Sequence, residues 1–193
     1  MRSLGPIPDG FGVIAGELAI DGRTASALVE QAGDTPLFVY SRALIAARVA
    51  RLRAAMPKRL AVHYAVKANP YVPLLEFMAS QVDGFDIASA GELAIVASAG
   101  IEPGSVSFAG PGKRDAELEA AIVVGVTINL ESLAEAHRAL GIGERLATTP
   151  KLAVRPSMAS SPAITPKPAG MGPSGLMPPV PHQVPGPARH GRS

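Results

Sequence analysis

Lys67, in the run His63-Tyr64-Ala65-Val66-Lys67-Ala68-Asn69-Pro70, directly follows an apolar stretch that reads as a buried β-strand, a place where a charge is costly to hold. A lysine amine attacks a carbonyl only when neutral. A partly apolar setting that draws its pKa from ~10.4 toward ~7 or 8 therefore suits Schiff-base chemistry. The neighbours Ala65, Val66 and Ala68 are small or apolar, which fits that requirement. A solvated lysine with no chemical task is the ordinary alternative, because lysine is rarely fully buried. What raises the reactive reading is company: Asp86, Asn129 and Arg155 fall at comparable places on later strands, and parallel α/β folds gather functional residues at the C-terminal strand ends. Asp86 is hard to explain otherwise, since an unpaired carboxylate within a strand is expensive. Arg155 has the competing explanation of pairing with a nearby carboxylate.

Other candidate chemistry is weaker. The turn Gly110-Pro111-Gly112-Lys113 lacks the Gly-x-x-x-x-Gly-Lys-Ser/Thr spacing of a nucleotide loop, and Lys113 is followed by Arg114. Its glycines are expected to permit a tight strand-to-helix turn, with Asp115 capping the next helix. His63, His137, His182 and His190 show no metal-ligand spacing, so no metal is expected, and His63 reads as a packed strand residue. The chain has no cysteine, which removes disulfides, thiolate metal sites and cysteine nucleophiles together.

The elements that must position Lys67 follow from an alternation of short β-compatible runs with helical ones. The strand ends fall near Lys67, Ser89, Gly110, Glu131 and Arg155, a spacing suited to compact βα units with short loops and parallel strands. Asn69-Pro70 fits a capped helix start, and both Ser89-Ala-Gly-Glu92 and Ser132-Leu-Ala-Glu135 match the capping box. Gly125 and Gly141 are placed for left-handed helix ends. Upstream, Thr35 to Tyr40 reads as a strand, and Ser41 caps a helix running to about Met56 with Leu44, Ile45, Val49 and Leu52 as its apolar stripe. Gly16 and Asp21-Gly22 divide Phe11 to Arg23 into a small hairpin.

At 193 residues with a formal net charge of +2, the chain suits one sizeable domain and has no electrostatic reason to seek nucleic acid or an anionic membrane. No apolar run has signal-peptide or membrane-spanning length, and a cytoplasmic protein is expected. The composition changes near residue 155. From Pro156 onward ten of 38 residues are proline and none is Asp or Glu, so this tail is expected to be disordered.

"YAVKANP", "GFDIASAGEL", "VSFAGPGKRDAELEAAI" and "TINLES" together resemble the pyridoxal-phosphate (PLP) decarboxylases with an alanine-racemase-like barrel, the ornithine and diaminopimelate decarboxylase group. The likeness runs from about residue 10 to Arg155. "AGPGK" and "DGFGVIAGELAIDG" look most like the subgroup associated with exosortase and exopolysaccharide loci. The resemblance implies an α/β fold, a truncated (β/α)8 TIM-type barrel of about five βα units. Residues 1–35 would be an N-terminal segment of a β-domain, 36–155 a partial PLP-binding barrel, and 156–193 a Pro-rich tail from a shifted reading frame or broken gene. It implies an amino-acid decarboxylase in which Lys67 holds PLP as a Schiff base, Asp86 and Glu92 line the cofactor side, and Arg155 sits near the cofactor's O3′ face. Glu92 can also serve only its capping box. A small-molecule amino-acid substrate and a homodimer would be the partners. The glycine-rich phosphate loop, the acidic partner of the pyridine nitrogen and the C-terminal β-domain are not located in the chain, so poor solubility and little turnover are expected of it. A non-decarboxylating PLP barrel of racemase or cofactor-homeostasis type, and a non-catalytic remnant, are the alternatives.

Overall fold

The computed structural model describes residues 10–154. The expected disordered tail and Arg155 lie outside the described residues.

The first elements are β1 (Gly12–Ile14), β2 (Glu17–Ile20) and β3 (Arg23–Thr24), paired antiparallel in that order. The expected hairpin is present and gains a third strand. Helix α1 (Ala25–Ala32), which the sequence reading does not anticipate, follows at once, with Thr24 Oγ1 accepting from Ala27 N and Gly33 in the left-handed conformation closing it. The segment 35–40 forms no strand. Its β-compatible residues have no ladder to join, and a lone strand leaves its backbone groups to water; Phe38 is 80% exposed.

Ser41 caps α2 (Arg42–Ala55) as expected, accepting from Leu44 N at 3.1 Å. Its hydroxyl donates to Asp21 Oδ1 at 2.7 Å, which ties the helix start to the turn after β2.

The main body is a parallel sheet, β4 (His63–Ala65), β5 (Gly84–Ile87), β6 (Val106–Phe108), β7 (Thr127–Leu130) and β8 (Lys151–Val154), in sequence order. Helices α3 (Val72–Met78), α4 (Ala90–Ser98), α5 (Asp115–Val124) and α6 (Leu133–Arg145) make the crossovers. The expected truncated α/β barrel is therefore present, with five parallel strands and the four crossover helices between them. Side chains alternate across the strands. Phe85, Ile87, Val106, Phe108 and Ile128 are all at most 2% exposed and pack with Leu75 of α3, Val96 of α4, Leu118 and Ile122 of α5 and Ile142 of α6.

Several local expectations need correction. Lys67 is on a 3-10 turn over Val66–Ala68 and is exposed, in place of the partly apolar setting expected at the strand end. The strand ends at Ala65, and the turn lifts the side chain clear of the core that takes Val66. Pro70 does not open α3: Tyr71 precedes its first residue and Pro73 occupies the first turn, while Asn69 Oδ1 accepts from Tyr71 N at 3.1 Å in an Asx turn. Asp115 is the first residue of α5, which begins after Arg114, and its carboxylate takes the Arg138 Nε–H instead of capping. Gly125 ends α5 at φ 86° as expected, but Gly141 lies inside α6, which runs to Arg145. Gly143, also inside α6, is needed for approach: a Cβ there would lie 2.7 Å from both Pro150 Cδ and Thr148 O.

Candidate active site

Both serine caps form, with a variation on the box. Ser89 Oγ accepts from Glu92 N at 3.2 Å, and Glu92 Oε2 reaches back to Ala88 N at 2.8 Å. Ser132 and Glu135 repeat the pattern, with Glu135 Oε2 accepting from Glu131 N at 2.9 Å. Each glutamate thus ties down the residue before the cap, which lies where the strand turns into the helix.

A cavity of about 430 Å³ lies at the C-terminal strand ends, lined by Ala65, Lys67, Asp86, Ala88, Ala109 and Asn129, with Ile87 and Val154. Among the described residues no hydrogen bond or ion pair holds the Lys67 ammonium. Asp86 sits opposite Ala65 on one side and Ser107 on the other. Its Oδ1 accepts from His63 Nδ1–H at 3.2 Å and from the Ser107 hydroxyl. Asn129 Nδ2 donates to Ser107 Oγ at 3.1 Å. Lys67, Asp86 and Asn129 are therefore brought to one cavity. Glu92 is not on its wall; it is engaged at the start of α4.

One buried cation escaped the sequence reading. Lys113, in the glycine turn, is 4% exposed and donates to Gly110 O and Asn129 O, both at 2.8 Å, and to Glu135 Oε1 and Oε2 at 3.1 and 3.2 Å. All its donors are used, so it fastens the ends of β6 and β7 to the start of α6 and is not free to act on a ligand. The repeated capping glutamate, one position of which lies across from this turn, was the available signal. Glu117 is a second structural carboxylate. The backbone N–H groups of Arg114 and Ala90, then the Arg114 side chain, hold its pKa down from 4.5 to about 2.

The pyridoxal-dependent decarboxylase family, in its pyridoxal binding domain, matches residues 42–165. The chain belongs to this family. Among similar proteins, diaminopimelate decarboxylase of Neisseria meningitidis is 39% identical over 121 residues, 62% of this chain and 30% of that protein. The Pseudomonas aeruginosa enzyme is 39% identical over 142 residues, 72% and 34% of the two chains. Diaminopimelate decarboxylase of M. jannaschii, solved with L-lysine, superposes with a TM-score of 0.66 at 28% identity, covering 76% of this chain and 36% of that one. The chain thus spans about a third of the length of the curated relatives it matches. Membership of the family implies PLP as cofactor. The cavity is compatible with it: an amine without a partner among the described residues, a carboxylate lining the same cavity, and small side chains at Ala65, Ala88 and Ala109. No described helix is long and apolar enough to cross a membrane.

Proposed function

We propose that the chain carries the cofactor-lysine part of a PLP-dependent amino-acid decarboxylase, a carboxy-lyase acting on diaminopimelate, ornithine or a related diamino acid. The observation that carries this is the Lys67 amine, without a partner among the described residues, on the cavity that also holds Asp86 and Asn129, in a chain of this family. Bound PLP supplies the electron sink for loss of an α-carboxylate as carbon dioxide. The residues of this chain supply the rest. Lys67 offers the amine that takes the cofactor's aldehyde, and its exposure leaves it reachable. Asp86 offers a carboxylate to a protonated nitrogen, and the small walls at Ala65, Ala88 and Ala109 keep the ring's place clear. Glu92 holds Ala88 N and so fixes one wall of the cofactor side.

The finer readings rest on sequence resemblance: Arg155 near the cofactor's O3′ face, residues 36–155 as the cofactor-binding part, a cytoplasmic homodimer, and nearness to the exosortase and exopolysaccharide subgroup. The test is to incubate the full chain with PLP, reduce with borohydride and map the pyridoxyl adduct by mass spectrometry. The adduct is expected on Lys67 and should vanish in Lys67→Ala; an adduct on another lysine overturns the assignment.

A further inference from the structure

His63, Asp86, Ser107 and Asn129 stand on four successive strands, β4 to β7, and join into one hydrogen-bonded row. The direction of each bond is fixed by chemistry. The Asn129 amide can only donate from Nδ2, so Ser107 accepts there and turns its own hydroxyl proton to Asp86. An ionised Asp86 can only accept, so the His63 nitrogen facing it, Nδ1, carries the proton. Both donors end on the same oxygen, Oδ1. Among the described residues Oδ2 has no partner, and Asp86 lines the cavity shared with Lys67. The fold makes room for this arrangement at Gly84, which pairs with His63: a Cβ there would lie 2.7 Å from the imidazole Cε1. A donor chain ending on a charged acceptor strengthens each of its bonds.

We infer that His63, Ser107 and Asn129 are positioning residues that hold one oxygen of Asp86 so that the other, Oδ2, receives a protonated amine in the Lys67 cavity. The identity of that amine, on lysine, cofactor or substrate, rests on the proposed function; the row itself does not. His63 acquires a task that a packed strand residue lacks.

The first test needs no cofactor. In the full chain labelled with 15N-histidine, the spectrum of the neutral ring is expected to show His63 as the Nδ1–H tautomer, reverting to Nε2–H in Asp86→Ala. An Nε2–H tautomer in both proteins overturns the row. The second test titrates PLP. His63→Phe is expected to weaken binding about tenfold, as loss of one hydrogen bond to a charged group implies. His63→Asn, whose amide can replace Nδ1–H, should restore it to within about twofold. In an Asp86→Ala background His63→Phe should cost nothing more. A loss that His63→Asn does not restore, or that persists without Asp86, overturns the positioning role. If the unaltered chain binds no PLP, the proposed function fails, and the tautomer result still decides the row.

Discussion

The two faces of the parallel sheet are made from alternate residues of the same strands, yet they are built to different rules. On the helix-covered face, Phe85, Ile87, Val106, Phe108 and Ile128 are sealed from water. On the other, Asp86, Ser107, Thr127 and Asn129 are only half-buried, and Asp86, Ser107 and Asn129 are joined by hydrogen bonds. A one-residue slip in register would exchange the two sets. One side of the sheet is therefore sealed from water and the other carries hydrogen-bonded polar groups, so substitutions on the first should act on folding and, under the proposed function, those on the second on binding.

The largest expected effect is on the sealed face. Phe108→Ala, which opens a cavity among fully buried neighbours, should cost about 4 kcal/mol in urea unfolding; a loss below about 1 kcal/mol would break the contrast. Glu135→Ala should follow at about 3 kcal/mol, because Lys113 would remain buried with only two carbonyl acceptors. The double variant Lys113→Met, Glu135→Gln should lose less than that single one. Third is acid sensitivity away from both faces. Glu117, with a folded pKa of about 2 against an ordinary 4.5, binds its proton more readily when unfolded. Its stabilisation is complete above pH 4.5 and is lost as the pH falls toward 2. Melting temperatures across that window should fall less steeply in Glu117→Gln. Smallest is Thr127→Val on the half-buried face, expected within about 0.5 kcal/mol of the unaltered chain.

Particular residues show where sequence reasoning works. Ser41, Ser89 and Ser132 cap their helices, because a serine hydroxyl meeting an N–H three residues on is a local event. The βα period also survives, since loop length and strand spacing are written along the chain. Failures came where partners are distant. The strand expected at 35–40 has the right residues but nothing to pair with. Lys113 looks like part of a tight glycine turn until β7 and α6 fold against it. Glu92 and Glu135 have equal signatures in sequence, yet only Glu135 meets a buried cation.

From the order of its residues alone this chain determines five strands alternating with helices, their serine caps and the prominence of Lys67, for these depend on contacts a few positions apart. Only the tertiary structure decided that Asp86 lines a cavity with Lys67, that His63, Ser107 and Asn129 reach it in a row, and that Lys113 is consumed in holding the turn. Those pairings join residues some 20 positions apart, whose meeting is set by sheet register and not by any local preference.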